Sequence, residues 1–338
     1  MKHETVLSSP TQPNRTPLAH RAAKIVATGM LVAATACSSE SGPAEHLDPQ
    51  AFTGQFEQMP DQAPEAVIKA AGATVRLHVA VPDYLYLGSE DTGVYVGKNE
   101  VVSRVYLGEP PFGLPDSLSV MAIQGNGKRW LNGSAQTTGP SAVTYSTPVK
   151  LPAYFRMDET GSKEYLKDVP AATISNQTVK PGDIVWQTGF DFSKREYSDQ
   201  DYYSPQIAAS VVVAANKDGF RAIPAALYGT ASNPHKAQKI TPTSELNDSG
   251  SPYFASDGTV LGVADQERIK TADVKAKYRL PELHGQKIPL DGSAGVPQTL
   301  DAYNEVDHVV RITPKVLSSL RATASIVRGA PVSPDYNF

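Results

Sequence analysis

Ser249 is the residue of this chain that is best placed by its neighbours to act as a nucleophile. It lies in the run Glu245-Leu246-Asn247-Asp248-Ser249-Gly250-Ser251-Pro252. Glycine and asparagine accept positive φ angles, so backbone N–H groups in such a turn can point at an oxyanion beside the hydroxyl. An apolar stretch, 258–264, follows through an Asp257-Gly258 pair that is typical of tight hairpin turns. Because Asp-Ser-Gly is also a common turn composition, the motif gains meaning only from the stretches around it.

The run resembles the Gly-Asp-Ser-Gly-Gly-Pro nucleophile loop of the trypsin/chymotrypsin-like serine peptidases. Asn247 replaces the first glycine of that loop and Ser251 the last. The resemblance implies that Ser249 attacks the substrate carbonyl and that the amides of Asn247 and Ser249 form the oxyanion hole. It also places Thr243 at the base of the specificity pocket, where a hydroxyl implies no strong preference for basic side chains.

A second stretch, 92–106, has the pattern of a strand, a Lys98-Asn99 turn and a second strand. It resembles the block of the same family in which a Gly-x-Gly strand and hairpin lead to Val-Leu-Thr-Ala-Ala-His. In this alignment Ser103 takes the place of the threonine and Tyr106 that of the catalytic histidine. A phenol with a pKa of about 10 is protonated at neutral pH and does not take a proton from serine. The alignment therefore predicts that the general base is missing.

Three further stretches follow in the order that the family has. Residues 167–174 resemble its Asp-Ile-Ala-Leu-Leu block, which implies Asp168 as the acid that orients the base, although Pro170 interrupts the pattern. Residues 179–190 resemble the strand that opens the second barrel. Near the end, a strand precedes a helix for which Thr313 is the predicted N-cap and Pro314 the first residue. Together the blocks predict an all-β fold, a trypsin-like double six-stranded β-barrel with a C-terminal helix.

Another histidine could supply the base if the protein is an active enzyme. Each candidate is more often a structural or solvent-facing residue than a catalytic one. The four histidines that belong to the predicted domain are His78, His235, His284 and His308.

The composition narrows the possible functions. The chain has 338 residues, 40% of them hydrophobic and 20% charged, with a formal net charge of −4. A chain of this length suits one sizeable globular domain or two modest ones, and its nearly neutral charge argues against nucleic acid as the main partner. Zinc-ligand spacing, a phosphate loop and a dinucleotide fingerprint are not found in the sequence, so no metal and no cofactor are predicted.

The single cysteine, Cys37, follows a segment with the features of a secretory signal. Arg21 and Lys24 precede a short apolar run that ends Ala34-Thr35-Ala36-Cys37. This ending resembles a bacterial lipobox, with Ala34 where leucine is usual. The resemblance implies that Cys37 is lipidated and holds the mature protein on the outer face of a membrane. The alternative is an ordinary cleaved signal with a chance cysteine.

The predicted domain boundaries follow from these segments. Residues 1–36 are assigned to the signal peptide, and 66–338 to the trypsin-like domain. Residues 37–65, rich in serine, proline, glycine and acidic side chains, are predicted to form a flexible tether.

Three functional hypotheses remain open from the sequence. The first is a membrane-anchored, extracytoplasmic peptidase homologue that is catalytically inactive and binds a peptide or protein in its cleft. The second is an active serine endopeptidase that uses Ser249 with an unidentified base. The third is an unrelated β-rich surface lipoprotein with a coincidental Asp-Ser-Gly turn.

Overall fold

The structure is a computed structural model. Strands account for most of the residues that it describes. It describes residues 43–81, 84–106, 119–124, 130–134, 143–144, 153–156, 169–190, 204–238, 250–265 and 307–323. All of them belong to one compact unit, Ser41–Phe338.

Sixteen strands lie in the described part of the chain. In chain order they are β1 (Glu45–His46), β2 (Thr74–Val81), β3 (Tyr84–Gly97), β4 (Glu100–Ser103), β5 (Val105–Tyr106), β6 (Ser119–Gln124), β7 (Trp130–Ser134), β8 (Val143–Thr144), β9 (Ala153–Arg156), β10 (Ile184–Gly189), β11 (Gln206–Ala215), β12 (Gly219–Thr230), β13 (Asn233–Gln238), β14 (Pro252–Phe254), β15 (Val260–Asp265) and β16 (Asp307–Arg311). The helices are α1 (Pro49–Glu57), α2 (Glu65–Ala70) with a 3-10 turn over Ala71–Ala73, and α3 (Pro314–Thr323).

Six strands of the larger sheet close into a barrel. Their order is β11-β10-β14-β15-β16-β12, and the ring is completed because β12 also pairs with β11. Strands β1 and β13 extend this sheet at β11 and β12. Closure removes the exposed edges that an open sheet would leave to other chains.

A second sheet has six strands in the order β7-β6-β2-β3-β4-β9. Its central hairpin joins β3 to β4 through Lys98 and Asn99, whose φ angles are 54° and 62°. Two consecutive positive φ angles match the right-handed twist of the flanking strands. The strand–turn–strand predicted for residues 92–106 is therefore present, and β5 follows it in a small parallel pair with β8.

The C-terminal helix forms as its sequence predicts. Thr313 Oγ1 accepts a hydrogen bond from the backbone N–H of Val316 at 3.1 Å, and Pro314 begins α3. Leu317 and Leu320 are buried on the face of the helix that meets the barrel and second sheet. With a closed six-stranded barrel, a second six-stranded sheet and this helix, the predicted trypsin-like fold class is confirmed.

The structure differs from the predicted tether over residues 43–63. This N-terminal strap pairs β1 with β11 and continues into α1, whose N-cap Asp48 accepts a hydrogen bond from Gln50 N. Phe52 of α1 is fully buried, and Tyr228 donates a hydrogen bond to Pro60 O at 2.7 Å. A few well-spaced apolar side chains are therefore enough to hold this segment to the barrel, although its overall composition is polar.

Candidate functional site

The sequence predicted six site residues, and most of them lie outside the described part of the chain. For Tyr106 the backbone is described, as the last residue of β5. The proposed roles of all six residues therefore stay predictions, and the candidate site is defined by the described residues around them. Those outside the described ranges are Cys37, Asp168, Thr243, Asn247 and Ser249.

Gly250, the residue after Ser249, is held firmly against the barrel. Its N–H donates to Ala264 O at 2.9 Å, and Ala264 N donates to Ser251 O at 2.8 Å. Its φ angle is +84°, in the region that favours glycine. Gly250 and Ser251, which follow Ser249 in the chain, are therefore fixed to β15 by two backbone hydrogen bonds.

Gly250 also packs directly against the segment that leads to Tyr106. A Cβ added at Gly250 would overlap Thr92 O and Ser103 Oγ and would lie only 2.7 Å from Arg104 N. The two motif blocks, separated by well over a hundred residues in the sequence, are thus in contact. Only glycine fits at this crossing.

The register of the β3–β4 hairpin brings Ser103 beside Thr92. Gly93 of β3 pairs with Ser103 of β4, and the buried Ser103 hydroxyl donates to Thr92 O. From Ser103 the chain passes through Arg104 into β5 without an insertion. Tyr106 therefore follows, by two residues, the backbone that Gly250 touches.

A buried ion pair that the sequence did not indicate lies beside this crossing. Arg104 Nε donates to Asp265 Oδ1 at 2.5 Å, and the two side chains are 4% and 1% exposed. Asp265 ends β15, directly after Ala264. His308, on the neighbouring strand β16, is paired with Asp265 in the sheet register, and its Nδ1 lies 3.6 Å from Asp265 Oδ2.

The charge of Asp265 is maintained by its neighbours. Burial acts to raise the pKa of this carboxyl, but the adjacent His308 ring and Arg104 guanidinium outweigh burial and lower the pKa. Asp265 is therefore ionised at neutral pH. On the other side of His308, Arg221 of β12 occupies the paired position, so polar side chains stand in paired positions on three strands.

The stretch that follows Asp168 forms a connector between the two sheets. Ala172 N donates to Tyr95 O at 2.8 Å, and Ile174 forms an isolated parallel bridge with Val260 of β15. Strand β4 pairs with β9. The orienting role of Asp168 stays a prediction.

Among the candidate histidines with a described side chain, His308 lies near Gly250, because it pairs with Asp265, the residue after Ala264. His235 lies on β13 with an exposed side chain, and its Nδ1 is 2.7 Å from Lys236 O. His78 belongs to β2, where only its backbone is described, and His284 falls outside the described ranges.

Other features of the described residues lie away from this site. A cavity of about 540 Å³ is lined by the connector and the β14–β15 hairpin, among them Gln177, Asp183 and Asp257. Within the described ranges, His, Cys, Asp and Glu side chains form no group of three that could hold a metal ion. The helices in this part of the chain are too short or too polar to cross a membrane.

Comparison with known proteins returns solved structures only. No protein-family model matches the sequence, and no curated protein matches it at a significant level. The Rv3671c protease of M. tuberculosis in its active form is 14% identical, with 82% of this chain and 94% of that chain covered and a TM-score of 0.40. Kallikrein-related peptidase 10 is 12% identical, with 77% of this chain and 98% of that chain covered and a TM-score of 0.43. The HtrA-type protease AlgW with a tripeptide is 14% identical, with 76% of this chain and 62% of that chain covered and a TM-score of 0.39.

Proposed function

We propose that this protein is a catalytically inactive homologue of trypsin-like serine peptidases that binds a peptide or protein segment in the cleft beside Ser249. The observation that carries the proposal is the packing of Gly250 against Ser103 and Arg104. This contact supports the alignment in which Tyr106 stands at the position of the general base. A protonated phenol at that position leaves the serine hydroxyl without a proton acceptor.

Binding does not depend on the missing base. Peptides are commonly recognised by backbone pairing to a strand and by pockets for side chains, and both survive the loss of one catalytic group. The two residues that follow Ser249, Gly250 and Ser251, support this role because both are hydrogen bonded to Ala264 of β15. The cleft would therefore keep its shape while losing hydrolysis.

The proposal includes an extracytoplasmic location with a lipid on Cys37. It rests on the signal-like segment and the Ala34-Thr35-Ala36-Cys37 ending. Metabolic labelling with a fatty acid tests this part, with Cys37→Ser as the control. Labelling that persists in Cys37→Ser would contradict it.

Two measurements on the pure protein test the absence of catalysis. A fluorophosphonate probe should leave wild-type Ser249 unlabelled, with Ser249→Ala as the matched background. Incubation with a random heptapeptide library, followed by mass spectrometry, should recover bound peptides intact. Labelling that requires Ser249, or peptides cut in a Ser249-dependent way, would overturn the proposal of inactivity. A protein that neither binds nor cuts any peptide would overturn the binding proposal.

The second candidate function is an active serine endopeptidase with a relocated base, and one observation favours it. His308 pairs with the buried carboxylate Asp265, the kind of acid that orients a catalytic imidazole, one residue beyond the strand position that binds Gly250. This candidate requires Ser249 labelling that is lost in His308→Gln. The confirmed fold and the contact between the two motif blocks speak against the third hypothesis, an unrelated β-rich lipoprotein.

A further inference from the structure

We propose that the mouth of the closed barrel binds a primary ammonium group on a short aliphatic stem, the chemistry that a lysine side chain and a small alkylamine share. The site is the cavity of about 540 Å³ lined by the connector and the β14–β15 hairpin. Gly250 and Ser251 bond to Ala264 at one end of this hairpin, and the cavity lies at the other end, where residues 255–258 turn. The site is therefore independent of Ser249 and of the proposed function.

The cavity lies where β-barrels commonly hold ligands. It is lined by the first two residues of β10, Ile184 and Val185, and by residues 255–257, which directly follow β14. Small-molecule sites typically enclose about 300–1,000 Å³, and the mouths of barrels are among their usual places. Gln55 of the strap closes one side, since its Nε2 lies 3.9 Å from the point at which a Cβ would stand on Gly182.

The apolar part of the lining comes from the interior of the barrel. All six strands of the closed ring contribute to one core cluster, which places this cluster inside the ring. An aliphatic stem that enters the cavity therefore leaves water for contact with buried side chains. The lining residues that belong to this cluster are at most 9% exposed, and they are Val179, Val185, Ala255 and Leu261.

The polar part of the lining carries negative charge. Asp183 and Asp257 are both exposed at the rim. Hydrogen bonds from the Thr259 hydroxyl and backbone N–H hold the pKa of the Asp257 carboxyl below its usual value, so this group is ionised at neutral pH. Gln177 Nε2 donates to its second oxygen at 2.6 Å and fixes the carboxylate at the rim. The described residues that line the cavity include no lysine or arginine.

Two basic residues near the cavity do not reverse this charge. The Arg311 guanidinium donates to Gln177 O at 2.5 Å and is not part of the lining. Lys180 is exposed, so solvent screens its charge, and it too lies outside the lining. A ligand in the cavity meets the two carboxylates directly and these cations only at longer range. The lining therefore favours a cationic head on an apolar stem.

Ligand-observed NMR on the full chain in detergent measures the binding of n-alkylammonium ions from ethylammonium to pentylammonium. Each added methylene should strengthen binding about threefold, slightly less than the roughly fourfold that complete burial of a methylene gives. 1-Pentanol, which keeps the stem and lacks the charge, should bind about threefold more weakly than pentylammonium, the scale of an exposed ion pair. An affinity that does not rise with chain length, or pentanol that binds as tightly as pentylammonium, would overturn the proposal.

Variants of the lining locate the bound ion. Thr178→Trp changes an exposed residue of the lining, fills the mouth without altering the core, and should reduce binding to the background of the detergent. Asp183→Asn and Asp257→Asn each remove one charge and should weaken binding about threefold. Asp61→Asn is the matched control and should leave the affinity unchanged. Asp61 is exposed, acts on Tyr228 near the far end of β12, and does not line the cavity.

A second ligand, the blocked tripeptide acetyl-Gly-Lys-Gly-amide, identifies the source of the ammonium group. Tripeptide binding that is lost in Thr178→Trp would support a lysine side chain of a partner, and binding of pentylammonium alone would support a free amine. Binding that persists in Thr178→Trp, or that is equal in the wild type and Asp183→Asn, would overturn the proposal, as would a wild type that binds neither ligand. If Asp257→Asn does not fold, Asp183→Asn and the chain-length series still decide.

Discussion

Arg104 and Asp265 form a buried ion pair across 161 positions of sequence, with Arg104 Nε 2.5 Å from Asp265 Oδ1. Arg104 follows the last residue of β4 in the second sheet, and Asp265 ends β15 of the closed barrel. The pair therefore joins the two sheets at the point where Gly250 meets Ser103. It is the polar contact on which the geometry of the candidate site depends most directly.

Replacement of one residue of this pair should lower the free energy of unfolding far more than replacement of both. We expect Arg104→Met or Asp265→Leu alone to lower the free energy of unfolding by about 3–5 kcal/mol, because each takes a close ion-pair partner away from a buried charge. The double variant should recover most of that loss. Urea unfolding of the wild type, both single variants and the double variant gives the coupling energy. Additive effects would show that the two side chains do not act as a pair.

Asp265 should make the protein sensitive to acid. Its folded-state pKa is lowered, so its ionised form contributes stability that is fully present above the unfolded-state value of about 4. That contribution is lost as the pH falls through the lowered folded-state pKa. Asp265→Asn should therefore be less stable than the wild type at neutral pH and should lose less stability on acidification. Chemical unfolding over a pH series checks this, and parallel curves for the two proteins would refute it.

Tyr228 should make the protein sensitive to alkali in the opposite sense. Burial, and to a smaller extent the charge of Asp61, raises the pKa of Tyr228 to about 12. The neutral phenol is favoured in the folded state, so its contribution is complete below the unfolded-state pKa of about 10 and is lost as the pH rises towards 12. Tyr228→Phe should flatten the stability profile in this range. At neutral pH it should cost about 0.5–1.5 kcal/mol through loss of the hydrogen bond to Pro60 O.

Gly250 should tolerate no side chain. Gly250→Ala adds a Cβ that overlaps Thr92 O and Ser103 Oγ, at a φ angle of +84°. Steric overlap and backbone strain together should cost at least about 3 kcal/mol. Gly54→Ala is the matched control, since nothing lies within 4 Å of a Cβ at that position in α1. The control should gain about 0.5–1 kcal/mol from helix propensity, as measured by thermal unfolding.

Restoration of an imidazole at position 106 tests the proposed cause of inactivity. We expect Tyr106→His to acquire Ser249-dependent fluorophosphonate labelling at a rate about 10²-fold above the wild type, the lower end of what a general base contributes. Tyr106→Phe, which removes only the hydroxyl, should remain unlabelled. Equal labelling rates for the histidine and phenylalanine variants would mean that position 106 does not face the nucleophile.

Features that depend on neighbouring residues were predictable from the sequence. The Lys98-Asn99 turn, the Asp257-Gly258 hairpin and the α3 start at Thr313 and Pro314 follow from local backbone preferences and capping. Each is present in the structure. The fold class was predictable because several blocks resemble those of the trypsin-like peptidases and follow one another in the same order.

Features that depend on distant partners were decided by the tertiary structure alone. The strap over residues 43–63 was predicted to be part of a flexible tether, because its few apolar residues, such as Phe52, have no regular spacing in the sequence. The barrel surface that buries them is present only in the folded protein. Arg104, Asp265 and His308 lie in separate stretches of the sequence. A charged residue at the end of a strand ordinarily faces solvent, so the sequence did not indicate that these side chains meet. Only closure of the barrel against the second sheet brings their charges together, and burial of one charge is favourable only when its partner is buried with it.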